Sequence, residues 1–346
     1  MLEKIKGMDI GNEQLFSQAE QLYCVKPLHE ITTGGSGNRI FEVEAGQHSY
    51  ILRVSEATEI KKSHIRFESS WVEYLSAHME GIAGPVRSTG GNLFEVIEAA
   101  GKSYILYLQE KAPGKIVDPN NSNEFNPTLF FHLGRLMGRM HRLTITYKGN
   151  TVDPEFEWNG PHFWRKNIPI RDEEVLLGEN RFLQELAVLP INNNNYGIVH
   201  FDIHTDNFLV TNDKITLIDF EACQFNWYAA DIASAVFFMM QKGAGPLKRL
   251  TEKERTEFAE TYLTAYLKGY LQTHSISRYQ IYTIDLFMKY QMIDEYVAAQ
   301  SYWPENPDQH LRKWYSEWFK EKIIHDLPYV HIDYGKVMDS VGFTIS

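Results

Sequence analysis

Cysteine is scarce in this 346-residue chain: there are two, Cys24 and Cys223, far apart and in no CxxC pair. That argues against a disulfide framework and against a thiolate zinc site. Long apolar runs are missing too. No stretch approaches the roughly 20 residues needed to span a bilayer, and the opening MLEKIKGMDIGNEQLF holds no apolar segment of signal-peptide length. A cytosolic location with no membrane partner is expected. Positive charge is in deficit: 34 Lys and Arg against 45 Asp and Glu leave a formal charge of −11. Nonspecific nucleic-acid binding works by neutralising phosphates, so no nucleic-acid partner is expected. The same balance favours a cationic small molecule over a polyanion. Internal repeats and low-complexity domains are also lacking.

What is present is ordinary globular composition, 43% apolar and 13% aromatic. A chain of this length forms two lobes more naturally than one core. The first third reads as β-rich. Arg39 to Glu44 and His48 to Val54 alternate apolar and polar residues about the turn Ala45-Gly46-Gln47, the pattern of a hairpin. Residues 59 to 80 place Ile65, Trp71, Val72 and Leu75 near helical spacing. A second hairpin follows, Asn92 to Glu98 and Lys102 to Gln109. A short polar segment, Glu110-Lys111-Ala112-Pro113-Gly114, then separates this part from a helix over 127–143, which Asn126 can cap. Further helices are expected over 172–189, 229–241, 252–272, 279–300 and 307–324, interrupted by one β-rich island from Tyr196 to Glu221. The expected organisation is an α+β chain with a β-rich lobe over 1–109, a hinge over 110–114 and a mostly helical lobe over 115–346. A cleft between two such lobes is a natural small-ligand site.

The island carries the chemistry. Two apolar strands, Phe208 to Val210 and Ile215 to Ile218, are joined by a polar turn, and acids and an asparagine stand just outside their ends. Phosphoryl transfer needs this inventory: one carboxylate to orient or receive the acceptor's hydroxyl proton, an amide oxygen and a second carboxylate to hold Mg²⁺ against nucleotide phosphates. The spacing H-x-D-x-x-x-x-N runs from His200 through Asp202 to Asn207, with Asp219-Phe220 downstream. It matches the catalytic loop and metal-binding Asp of kinases.

On these residues the chain resembles the aminoglycoside phosphotransferase and choline kinase group of kinase-like enzymes. That group's motif is HGDxHxxN, an apolar hairpin, then I-D-F-[DE]. Here Phe201 stands in place of Gly, and Glu221 closes the second motif. Gly134 to Leu143 (GRLMGRMHRL), Tyr104 to Gly114 and Asp231-Ile232-Ala233 extend the similarity over about residues 30 to 240. The resemblance implies a protein-kinase-like two-lobed fold, with ATP and Mg²⁺ as cofactors and a small hydroxyl-bearing molecule as acceptor. It implies Asp202 as catalytic base and Asn207 with Asp219 as metal ligands. His200 and Asp231 become supports of the loop. His204 either touches metal or phosphate or packs the loop; Glu221 either contacts metal or makes a hydrogen bond inside it.

Upstream, Gly34, Gly35, Ser36, Gly37 and Asn38 precede a strand, where glycines let backbone N–H groups approach phosphates. The full GxGxxG is broken by Ile40, and a plain flexible turn is the alternative. Arg53 occupies the position of the phosphate-pairing Lys of kinases. Glu68 is its expected partner, with Glu73 the competitor on the same helix. Leu108 and Glu110 would border the adenine. Asp285, Asp294 and Glu295 on one expected helix either line an acidic pocket for an amine or form a solvated face, and the solvated face is the simpler expectation. Three other classes compete. One is a Ser/Thr protein kinase of the same fold. Another is a non-catalytic kinase-like binding module. The third is a metallohydrolase that uses His200, Asp202 and His204 on one strand face around zinc.

Overall fold

The computed structural model describes residues 10–31, 38–160, 168, 170–301 and 309–343. Gly34, Gly35, Ser36 and Gly37 therefore lie outside the described residues. The chain divides into two compact units. One takes the described residues up to Pro113 together with Thr216–Glu221; the other takes Gly114–Ile215 and the chain from Ala222 onward.

The first unit is built on five antiparallel strands. In chain order its elements are α1 (Ile10–Tyr23), β1 (Lys26–Ile31), β2 (Arg39–Ala45), β3 (His48–Glu56), α2 (Glu59–His78), β4 (Glu95–Ala99) and β5 (Lys102–Glu110). The sheet order is β1-β2-β3-β5-β4. Both hairpins expected from alternation are present, with Ala45 opposite His48 and Ala99 opposite Lys102. One face of the sheet buries Phe41, Val43, Leu52, Val54, Leu106 and Leu108 against Leu15, Phe16, Ala19 and Tyr23 of α1. Neither α1 nor β1 is anticipated above. Strand β1 (KPLHEI) has no regular alternation and is mostly exposed, because an edge strand is held by its ladder to β2 and not by a buried face.

The segment Thr216–Glu221, expected in the second lobe, groups with the first unit for a visible reason. Leu217 N–H donates to the Gly81 carbonyl at 2.8 Å, and the Leu217 carbonyl accepts from Ala83 N–H at 3.1 Å. The Phe220 ring meets Trp71 of α2 edge-on at 5.6 Å.

The second unit is mostly helical. It holds α3 (Pro127–Thr146), α4 (Glu173–Ala187), β6 (Tyr196–Val199), β7 (Phe208–Thr211), β8 (Lys214–Leu217, whose last two residues belong to the first unit), β9 (Gln224–Trp227) and α5 (Tyr228–Ala244). It continues with α6 (Glu252–Tyr270), α7 (Arg278–Tyr282), α8 (Ile284–Ser301), α9 (Gln309–Ile324) and α10 (Tyr334–Ser340). The helix expected over 279–300 is thus two helices, parted at Thr283, which caps α7. Strands β6 and β9 pair antiparallel, as do β7 and β8 in a hairpin. Helices α3 and α6 pack backbone against backbone. A Cβ on Gly134 would stand 2.0 Å from the Tyr266 carbonyl oxygen, and one on Gly269 would stand 1.9 Å from that of Phe131. Glycine is required at both crossings. Among the described residues no helix is long and apolar enough to cross a membrane.

Candidate active site

Strand β6 ends at Val199, and the chain must then turn sharply. Phe201 adopts φ +65°, a left-handed conformation that penalises any residue with a Cβ by about 1–2 kcal/mol. The turn is held from both sides. Asp231, fully buried in the first turn of α5, accepts from His200 N–H at 3.2 Å and from Phe201 N–H at 2.7 Å. Ser234 Oγ donates to the Phe201 carbonyl at 2.7 Å. Asp231 is itself oriented by His141 Nε2 at 2.8 Å, and His141 Nδ1 meets Tyr270 Oη at 2.8 Å. Glycine at this position in the resembled motif now has a reason. Phe201 tolerates the strain because its backbone is fixed and its ring is buried.

The same loop positions Asp202. Its backbone N–H donates to His200 Nδ1 at 3.3 Å. Asn207 Nδ2 donates to both the main-chain oxygen and Oδ2 of Asp202, each at 2.9 Å. His204 Nδ1 accepts from Asp206 N–H at 3.2 Å, which leaves the ring proton on Nε2, 3.5 Å from Asp202 Oδ2. The chain of charge continues outward: Asp206 Oδ2 lies 3.5 Å from His204 Nδ1 and takes Lys242 Nζ at 2.9 Å. Burial pushes the Asp202 carboxyl up, but His204, His200 and Asn207 together hold it below its ordinary value. Burial likewise opposes charge on His204, and Asp202 with Asp206 outweighs it and raises its pKa. The result is an ionised, braced carboxylate that is still 35% exposed and so open to a substrate.

In the first unit, Arg53 Nη2 meets Glu68 Oε2 at 2.6 Å, and both residues are buried. Glu73 instead forms a two-pronged pair with Arg87, at 2.6 and 2.7 Å. The choice between the two glutamates is therefore made by packing: Glu68 lies on the buried face of α2. Burial works against the Arg53 charge, but Glu68 and then Glu221 more than offset it. The guanidinium also lies 5.0 Å from the centre of the Tyr107 ring. Arg53 Nη1 reaches 4.0 Å from Asp219 Oδ1, whose side chain is 45% exposed. Asp219 too is left-handed, at φ +58°. Glu221 Oε2 accepts from Asn38 Nδ2 at 2.8 Å, and burial with the nearby Glu68 and Asp219 charges pushes its pKa up to about 7 against the pull of Arg53. Leu108 is buried in the sheet core and its carbonyl accepts from Val86 N–H; Glu110 N–H donates to the Gly84 carbonyl. The first backbone groups past the sheet belong to Lys111 and Ala112.

The residues present suit a hard divalent cation. Asn207 gives its amide protons to Asp202, and its Oδ1 accepts no hydrogen bond among the described residues. Asp219 offers an exposed carboxylate. Oxygen donors of this kind match Mg²⁺, which keeps several of its own waters and takes few protein ligands. The zinc arrangement does not form. His200, Asp202 and His204 follow the end of a strand and do not lie along one, His200 is fully buried, and no three His, Cys, Asp or Glu side chains among the described residues converge as a metal site.

Two features were not legible in the sequence as functional. Ser234 locks the Phe201 carbonyl without belonging to any motif. The α8 acids also depart from the expected solvated face: Asp294 is buried, and desolvation raises both Asp285 and Glu295.

Residues 30–275 match the model of the phosphotransferase enzyme family, and the chain belongs to that family. It is a kinase-type phosphotransferase with a protein-kinase-like fold. It is 28% identical over 281 residues to amicoumacin kinase of Bacillus subtilis (strain 168), which covers 80% of this chain and 81% of that protein. Among solved structures it is similar to amicoumacin kinase hAmiN in complex with AMP-PNP, Ca²⁺ and Ami. There the TM-score is 0.82 at 25% identity, over 97% of this chain and 100% of that one. A microcompartment-associated aminopropanol kinase shares the fold, with TM-score 0.68 at 18% identity over 96% and 100% of the two chains.

Proposed function

We propose that this protein transfers the γ-phosphoryl group of ATP to a hydroxyl of a small molecule, with Asp202 as the base. The carrying observation is the bracing of Asp202: one ionised carboxylate, fixed by Asn207 and His204 on a strained loop that Asp231 and Ser234 hold in place. A group so constrained orients an alcohol and takes its proton as the oxygen attacks phosphorus. The bond between the γ-phosphorus and the bridging oxygen breaks, ADP leaves, and the phosphate ester forms. Because this transition state is loose, positioning and charge stabilisation supply most of the rate.

Arg53, kept charged by Glu68, pairs with the nucleotide phosphates; Asn38, at the end of the Gly34–Gly37 segment, borders them. Adenine lies along the segment that leaves β5 from Leu108 and Glu110. Asn207 and Asp219 would hold Mg²⁺, which when bound neutralises charge on the phosphate oxygens. Glu221 supports this segment through Asn38, and His200 and Asp231 support the loop. The name of the relative, amicoumacin kinase, favours a small-molecule acceptor over protein substrates.

The test is to incubate the protein with ATP and Mg²⁺ against amicoumacin, aminoglycosides, amino alcohols, hydroxy amino acids and sugars. ADP release and the gain of one phosphoryl group on the acceptor are followed. ADP formation coupled to a phosphorylated small molecule is expected. Phosphorylation confined to protein Ser or Thr, or nucleotide binding with no transfer to any acceptor, would overturn the proposal.

A further inference from the structure

The close crossing of α3 and α6 builds a polar contact that the proposed mechanism leaves unused. Gly134 and Gly269 let the two backbones touch, and Gly138 extends the approach: a Cβ there would stand 2.7 Å from the Tyr270 carbonyl oxygen. Thr273 Oγ1 fastens the chain after α6 by donating to the Arg135 carbonyl at 3.0 Å. Tyr270, the last residue of α6, is thereby set beside His141, one turn after Gly138 on α3. Its hydroxyl lies 2.8 Å from His141 Nδ1, and His141 Nε2 lies 2.8 Å from Asp231 Oδ2. All three side chains are buried. The surrounding cage is aromatic. Tyr228 stacks on the His141 ring at 4.5 Å, and His274 packs edge-on against Tyr270 at 5.6 Å.

The proton positions follow from the donors and acceptors present. Asp231 already accepts from the His200 and Phe201 N–H groups, and a carboxylate only accepts. The His141 nitrogen that faces it must therefore carry a proton. A neutral imidazole then has a bare Nδ1, and Tyr270 must donate to it. Burial, with the Tyr228 and Asp231 charges, holds the Tyr270 pKa well above its ordinary value, so the phenol keeps its proton. An imidazolium would reverse the contact. Its Nδ1–H would point at Tyr270 Oη, and the phenol proton would have no acceptor among the described residues. A buried donor left in that state is expensive. The neutral arrangement satisfies every group in the chain from Tyr270 to the loop.

We propose that Tyr270 is a positioning residue: it holds His141 in the Nε2–H tautomer, and that tautomer keeps Asp231 on the turn that presents Asp202. The consequence for turnover rests on the phosphotransferase reading above. Without the phenol, the buried imidazole is free to move its proton to Nδ1. The Nε2 lone pair then faces the Asp231 carboxylate, and the anchor of the left-handed turn at Phe201 weakens. A misplaced base slows the chemical step and leaves ground-state binding alone.

The test labels the protein with ¹⁵N-histidine and reads the His141 tautomer from long-range ¹⁵N–¹H correlation spectra at neutral pH. The wild-type protein is expected to show a protonated Nε2 and a bare Nδ1. A protonated Nδ1 there would overturn the proposal without recourse to any variant. In Tyr270→Phe the Nδ1–H form should appear. There kcat, for whichever acceptor of the panel above is phosphorylated fastest, should fall roughly tenfold to a hundredfold, with KM for ATP changed by no more than a few-fold. Tyr266→Phe is the matched control, because that hydroxyl is buried on the same helix without a hydrogen-bond partner among the described residues. It should keep both the tautomer and kcat of the wild type. Melting curves check that both variants fold. An unmoved tautomer or an unmoved kcat in Tyr270→Phe, or an equal loss of kcat in Tyr266→Phe, would each overturn the role of Tyr270. If the wild-type protein phosphorylates no acceptor, the phosphotransferase reading falls and the role of Tyr270 in turnover falls with it; the wild-type spectrum distinguishes that outcome from a wrong tautomer.

Discussion

The side-chain amide of Asn207 bonds two oxygens of Asp202 at once, the main-chain carbonyl and Oδ2, both at 2.9 Å. This one contact fixes the rotamer of Asp202 and the path of the loop between the two residues. It also reserves Asn207 Oδ1 for another partner. Asp202→Asn keeps the shape of the site but removes the proposed proton acceptor. Turnover should fall about 10²- to 10⁴-fold, while Mg-nucleotide binding stays within a few-fold. ADP-release kinetics alongside calorimetric binding separate the two effects, and near-normal turnover would reject Asp202 as base.

Glu68 is completely buried against Arg53. Glu68→Ala leaves a buried guanidinium without its counter-ion, a change that destabilises by about 3–5 kcal/mol. Glu73→Ala breaks only an exposed pair with Arg87, where about 1 kcal/mol or less is expected. Urea unfolding of the two variants side by side tests this ordering. Similar losses would mean that Arg53 is satisfied without Glu68.

Phe201 sits at φ +65°. Removal of its buried ring destabilises whichever small residue replaces it, but alanine must still adopt the left-handed conformation and glycine does so freely. Phe201→Gly should therefore be more stable than Phe201→Ala by about 1 kcal/mol, the reverse of the usual ranking. Thermal melts of the pair decide the point; a more stable alanine variant would show that the loop relaxes out of this conformation.

His274 is desolvated beside His141 and Arg142, which lowers its pKa to about 4. Its unfolded value is near 6.5, so the folded state disfavours the proton. The stability this contributes is present above the unfolded value and is lost as pH falls from there through the folded one. Between pH 7 and pH 5 the loss should be at most about 2 kcal/mol. It should shrink in His274→Phe. Equal pH dependence in both proteins, followed by denaturant unfolding, would assign the acid sensitivity elsewhere.

Much of the site is legible because its chemistry is local. The spacing from His200 to Asn207 lies within one loop, and the apolar β7–β8 run leading to Asp219 is read from strand periodicity. The helices with regular apolar faces, such as α2 and α3, are found by the same means. Strand β1 escapes notice because an edge strand carries no alternation, and α1 because its few apolar residues mean little without the sheet they cover. The α8 acids mislead for a related reason: charge suggests solvent, and the packing of α8 among its neighbouring helices buries Asp294.

The sequence by itself determined the class of chemistry, because Asp202, Asn207 and Asp219 are set at short, fixed separations along the chain, in the spacing of kinases. Tertiary structure decided which partners those groups have. Asn38 meets Glu221 across 183 positions, His141 meets Asp231 across 90, and Ser234 meets the Phe201 carbonyl across 33. Such pairings depend on how helices and strands pack, and no periodicity along a chain records which of two glutamates will turn inward or which acid will lose its water.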